Sequence, residues 1–117
     1  MTNQKLASAE RITVSIDRDL EDIVPTFLAN RQKDLLTLRT ALAEKDFETI
    51  RMLGHRMRGD GGGYGFNAIS AIGEVMEMAA ARRDEPAIQR QTAELEDFLA
   101  RVHVVDRKST RLNSSHT

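Results

Sequence analysis

Apolar side chains along this chain recur at two different spacings. Over Ile12, Val14 and Ile16 they alternate with polar residues, as on a half-buried strand. No second segment of that kind is evident, so the stretch is expected to be an extended lead-in packed on the domain. From Asp17 onward the spacing becomes helical. Asp17 suits a helix N-cap, and Asp19, Glu21 and Asp22 lie where a helix dipole favours acidic side chains. Leu20, Ile23, Val24, Phe27 and Leu28 then share one face, continued by Leu35, Leu38 and Leu42 to about Glu44. Pro25 lacks an N–H, so a kink or a restart is expected near Val24. Lys45 and Asp46 form a joint too short for anything but an antiparallel return.

The second helix buries Phe47, Ile50, Leu53 and Met57, with Gly54 on the same side to let a neighbouring helix come close. Beside that face runs a stripe of His55, Arg58, Gly59 and Gly62. Each glycine costs a helix interior ~1 kcal/mol against alanine, so propensity alone ends this helix at Gly59 or Asp60. Gly65 supplies the freedom for the following turn. Asn67 is expected to cap a third helix with Ile69, Ile72, Met76 and Ala79 inward, and Ser70, Gly73, Glu77 and Ala80 beside them. Arg82 and Arg83 suit its last turn. Asp84 and Pro86 open a fourth helix whose inner stripe is Ile88, Thr92, Leu95, Leu99 and Val102, with Phe98 alongside. The pattern predicts an all-α fold, an antiparallel four-helix bundle with an extra N-terminal helical segment or kink.

Composition narrows the picture. The 117 residues are 40% hydrophobic but only 4% aromatic, which calls for an aliphatic core of packed helices in one domain. Cysteine is absent, which excludes disulfides and thiolate metal sites. No apolar run approaches the ~20 residues that span a bilayer. The first residues, MTNQKLASAERI, hold no apolar core of a secretion signal, so a cytoplasmic protein is expected. Asp106 to His116 resembles the in-frame translation of a sequencing-library adapter, and residues 106–117 are set aside as an artefact. Three of the 17 basic and one of the 18 acidic side chains lie there, leaving 14 and 17, a net charge of −3. No basic face for nucleic acid remains. The expected organisation is an arm over 1–16, a bundle over 17–105 and the tail.

The chemistry centres on His55. A hydrolytic triad needs a nucleophile and an orienting carboxylate, and the chain has neither Cys nor a Gly-x-Ser-x-Gly elbow. His103 and His116 lie in or near the tail, which leaves His55 without a second imidazole for a metal site. The glycine run lacks the Gly-Lys-Ser/Thr ending of a phosphate-binding loop. A surface histidine beside a loose loop is one reading. Against it stand five glycines between Gly54 and Gly63, which suit close approach, and Arg58, placed to neutralise an anion on the ring.

The stretch HRMRGDGGGYGF resembles the signature of histidine-containing phosphotransfer (HPt) domains. His55, Arg58, Gly59, Gly65 and Phe66 match in register that family's His, basic residue, two glycines and apolar residue. The likeness extends from DRDLEDIVPTFL to the fourth helix and carries the second helix further than propensity does, to Gly63. It implies that His55 accepts a phosphoryl group on Nε2, Arg58 stabilises it and Gly59 leaves room for a docking receiver domain. Arg51, Gly62 and Gly73 are expected to line the docking surface. Partners would be a response-regulator receiver domain and a hybrid sensor histidine kinase of a bacterial two-component system. No cofactor of the chain's own is implied, and Mg²⁺ is expected on the receiver. The chain is expected to be a monomeric phosphocarrier without a kinase domain, bound to neither nucleic acid nor membrane.

Two residues depart from the pattern. Glu77 stands where some members carry a Gln facing the histidine; it is a candidate to orient the imidazole, although its charge opposes a phosphoryl group. Asp60 follows the Gly where a small or neutral residue is usual, and is expected to turn aside. The alternative is a helical docking module without phosphotransfer. A kinase dimerisation bundle fits less well, because Arg56 and Met57 follow the histidine in place of an acidic residue and a proline motif.

Overall fold

The structure is a computed structural model that describes residues 10–106. Strand β1, Ile12–Ile16, leads into a short 3-10 turn, Arg18–Leu20. Four helices follow: α1, Val24–Ala43; α2, Phe47–Gly63; α3, Asn67–Ala81; and α4, Glu85–Arg101. Strand β2, Val102–Asp106, closes the series. The helices form the expected bundle, each packed against its sequence neighbour and α1 against α4. Among the described residues, no helix is long and apolar enough to cross a membrane.

Local chemistry sets most of the boundaries. The Asp17 carboxylate accepts from the Asp19 amide and caps only the 3-10 turn. The chain then restarts as α1, with Pro25 in its first turn, where its missing N–H is harmless. Asp46 caps α2, accepting from the Thr49 amide and hydroxyl at 3.2 and 2.7 Å. Those hydrogen bonds hold its carboxyl below the usual range. Asp84 caps α4 through the Ala87 amide. Asn67 does not cap α3: it is already the first helical residue, and Phe66, with no side-chain cap, stands before it.

The core is largely aliphatic, with an aromatic cluster at the end of the bundle where α2 turns into α3. Leu38, Ile50, Met57, Ile69, Met76, Ile88 and Leu95 are fully buried, on the faces that the helical spacing indicates. Phe66, in the turn between α2 and α3, is buried as deeply. It stacks on Phe27 at 5.0 Å between ring centroids and meets Phe98 edge-on at 6.4 Å.

The strands correct two expectations. Ile12–Ile16 is more than an extended lead-in packed on the domain; it pairs in parallel with β2, Ile12 opposite Val102 and Val14 opposite Val104. Ile16 is buried in the core. Val102 does not extend the inner stripe of α4, because its backbone turns extended and starts β2. A parallel pair needs a long crossover, and here the whole bundle provides it. The arm therefore cannot reach residue 16, since 12–16 belong to the fold. Residues 1–9 and 107–117, including nearly all of the adapter-like tail, lie outside the described residues; Asp106 ends β2.

Candidate functional site

The site lies where α2 meets α3, and glycine determines how closely they meet. A Cβ built on Gly73 would stand 2.5 Å from the Arg58 amide nitrogen and 2.6 Å from the Gly54 carbonyl oxygen. One on Gly54 would stand 2.7 Å from the amide nitrogen of Glu77. One on Gly61 would stand 2.6 Å from that of Ser70. Only a bare backbone fits at these three points. The Ser70 hydroxyl adds a hydrogen bond to the Arg58 carbonyl at 2.7 Å. Because Gly54 precedes His55, the contact between Gly54 and Glu77 brings that carboxylate to the imidazole.

His55 is exposed, with 63% of its side chain open to solvent. Its Nδ1 lies 3.1 Å from Glu77 Oε2. An ionised carboxylate can only accept, so in the neutral ring the proton sits on Nδ1 and Nε2 is the nitrogen with the lone pair. The other oxygen, Oε1, is 3.7 Å from an Arg58 terminal nitrogen. One carboxylate thus faces both the ring and the guanidinium. The sequence raised the charge of Glu77 as an objection to a role beside a phosphoryl group, and Arg58 offsets that charge directly.

The remaining expected site residues divide. Arg51, one turn before His55, is held by Glu48 through Nε at 3.1 Å and through a second nitrogen. That hydrogen bonding lowers the Glu48 carboxyl pKa and raises that of Arg51, which Glu77 raises further. Gly59 and Gly62 lie exposed on the His55 side. A Cβ on Gly59 would meet nothing within 4 Å, and one on Gly62 only the Ser70 hydroxyl at 3.9 Å. Gly73 is not on the surface. It is buried in the α2–α3 contact, so it shapes the site from beneath and cannot line a docking face. Met52 adds a half-exposed apolar side chain one turn from His55.

Asp60 turns away from His55, as expected, and the structure supplies the reason. Its carboxylate lies 3.7 Å from Arg31 of α1. Arg31 and Asp34, themselves 2.9 Å apart, are buried charges that the sequence reading passed over. Burial pushes the Asp34 carboxyl up, with Arg31 and then Arg56 pulling it back. Their signal was present: Arg31 and Asp34 fall in phase with Val24, Phe27, Leu35 and Leu38, on the apolar stripe of α1.

Among the described residues, no three His, Asp or Glu side chains gather in a way that could hold a metal ion. The arrangement instead offers an exposed imidazole whose Nε2 is free when the ring is neutral, with a proton acceptor behind Nδ1 and a cation beside it. That combination suits a nucleophile for an electrophile carrying negative charge. Compared with known proteins, residues 22–104 match a family model described as Hpt domain. No curated protein and no solved structure matches the chain.

Proposed function

The chain belongs to the Hpt domain family, and from that premise we propose that it is a phosphorelay intermediate carrying a phosphoryl group on His55. Hpt domains serve histidine phosphotransfer in two-component signalling. The finer reading is that His55 exchanges the group with the aspartate of a response-regulator receiver domain. The observation that carries it is the exposed imidazole with Nδ1–H donated to Glu77 and Arg58 against the same carboxylate.

The chemistry is spare. Nε2 attacks the phosphorus of the receiver's aspartyl phosphate in line. The N–P bond forms as the P–O bond to the aspartate breaks, and that electron pair leaves with the carboxylate. The ring then carries a positive charge, with Nδ1 still protonated, and Glu77 stabilises it. Arg58 exchanges part of its contact with Glu77 for the phosphoryl oxygens. Transfer of this kind depends on positioning and charge stabilisation more than on covalent machinery. Mg²⁺, expected on the partner's own acidic site, supplies further neutralisation there. Gly59 and Gly62 leave the approach to His55 open, and Arg51 stands at its edge. On this reading the protein works in the cytoplasm as a monomer and has no kinase chemistry of its own. A hybrid sensor histidine kinase is the expected source of the group.

Mixing the protein with a phosphorylated receiver tests the proposal. The protein should acquire label that is acid-labile and alkali-stable, and His55→Gln should acquire none. Equal labelling of His55→Gln sinks the reading. Binding without any transfer in Mg²⁺ supports a docking module instead.

A further inference from the structure

The glycine-rich end of α2 is the weakest helix in the molecule by propensity, yet it stays helical to Gly63. Helix α1 meets it at Asp60, beside the contact that Gly61 makes with α3. Arg31, only 4% exposed, lies over the Phe27 ring at 4.8 Å and reaches Asp60 at 3.7 Å. Phe27, one turn earlier, stacks on Phe66 and lies 4.8 Å from the Tyr64 ring. Two neighbouring side chains of α1 therefore hold the segment from Asp60 to Phe66 at three points. Only one of those contacts, Asp60, lies inside the helix.

Stability alone does not explain the buried charges. Arg31 Nε stands 2.9 Å from Asp34 Oδ2 and Arg31 Nη1 stands 3.7 Å from Asp60 Oδ2, but both are ion-pair approaches without a well-aligned hydrogen bond. Desolvating two charges offsets most of their attraction, so apolar residues of similar volume often serve stability as well or better. What such a pair offers an apolar interface is a fixed register. Here the register locates Asp60, two residues beyond Arg58.

We propose that Arg31 is a positioning residue for the His55 face: by holding Asp60 it keeps the last turn of α2 helical and seated on α1. That seating fixes where Arg58 and Gly59 stand beside the histidine. The consequence for transfer rests on the phosphotransfer reading; the structural device does not.

The double variant Arg31→Met/Asp34→Leu removes both buried charges without stranding either. It should unfold at the same or a higher denaturant concentration than wild type. Amides of Gly61 to Tyr64 should nonetheless exchange roughly tenfold faster, with those of Leu53 to Met57 unchanged. Maximal transfer from a receiver should fall roughly three- to tenfold with little change in the half-saturating receiver concentration, as misplacement of reacting groups predicts. Asp60→Asn should reproduce the local exchange, and Arg31→Lys, which keeps the charge, should retain most of both properties. Wild-type exchange at Gly61 to Tyr64 in the double variant overturns the inference. So does faster exchange with unaltered transfer. An unlabelled wild type overturns the phosphotransfer reading itself, and the exchange measurement, which needs no phosphoryl donor, still decides whether Arg31 holds the helix end.

Discussion

The glycines of α2 and α3 divide into those a methyl group would jam and those it would leave free. Gly54, Gly61 and Gly73 have backbone of the facing helix within 2.8 Å of a built Cβ, whereas Gly59 and Gly63 have nothing within 4 Å. The first set is the contact that draws α3 onto α2 and carries Glu77 to His55. The second set weakens α2 without bringing any element of this chain closer, and Gly59 lies directly beyond the histidine. One residue type thus does two jobs within twenty positions. Packing accounts for the first set; on the proposed phosphotransfer reading, access for a docking partner accounts for Gly59.

Substituting each set separates the jobs. Gly73→Ala forces a Cβ into backbone that cannot yield, and overpacking of that kind costs about 3 kcal/mol. A urea titration should show the loss, and labelling of His55 should fall with it. A Gly73→Ala protein of wild-type stability would break the distinction. Glu77→Ala leaves the fold in place but removes the acceptor behind Nδ1, so transfer should slow by roughly tenfold, about the worth of one charge-assisted hydrogen bond. Glu77→Gln, which keeps an acceptor oxygen, should lose less. At the open positions the sign reverses. Gly63→Ala and Gly59→Ala should each stabilise by up to ~1 kcal/mol in thermal or chemical unfolding. Of the two, only Gly59→Ala should slow transfer from a receiver, and it should leave phosphorylation by a small donor such as phosphoramidate unchanged.

A smaller effect follows at the buried charges. Burial holds the folded Asp34 carboxyl above its ordinary value. The folded state therefore binds that proton more readily than the unfolded chain does. This group's contribution is most favourable in acid and is lost as the pH rises through the folded value. Asp34→Asn removes the titration, so stability measured from pH 4 to 7 should decline less, or rise more, in the variant than in wild type.

Much of this was legible in the sequence because helical phase is a local signal. The stripes of Ile50, Leu53 and Met57 and of Ile69, Ile72 and Met76 lie inward as their spacing indicates. The restart at Pro25 and the cap at Asp84 follow from side-chain chemistry alone, whereas Asp46, read only as part of a joint, proves to cap α2. The His55, Arg58 and Gly59 stripe was read directly, and Glu77 was recognised with its sign in question. What was not legible depends on distant parts of the chain. Ile12–Ile16 finds its strand partner beyond α4, in a segment whose first residue, Val102, also fits the helical phase. Propensity stopped α2 at Gly59 or Asp60; the family resemblance carried it to Gly63, where it ends, and the tight contact at Gly61 is one that propensity does not see. Gly73 was misplaced on the docking face because a small residue serves close packing and open access equally well, and spacing does not tell them apart.

The central claim is that one nitrogen of one side chain carries the phosphoryl group. Phosphorus and nitrogen NMR of protein labelled with ¹⁵N at histidine, recorded after phosphorylation by a receiver, addresses it most directly. A single phosphorus–nitrogen coupling to Nε2 of His55, lost when unphosphorylated receiver and Mg²⁺ are added, is the predicted result. A coupling to Nδ1, a phosphoryl group on His103 instead, or none at all would contradict the account.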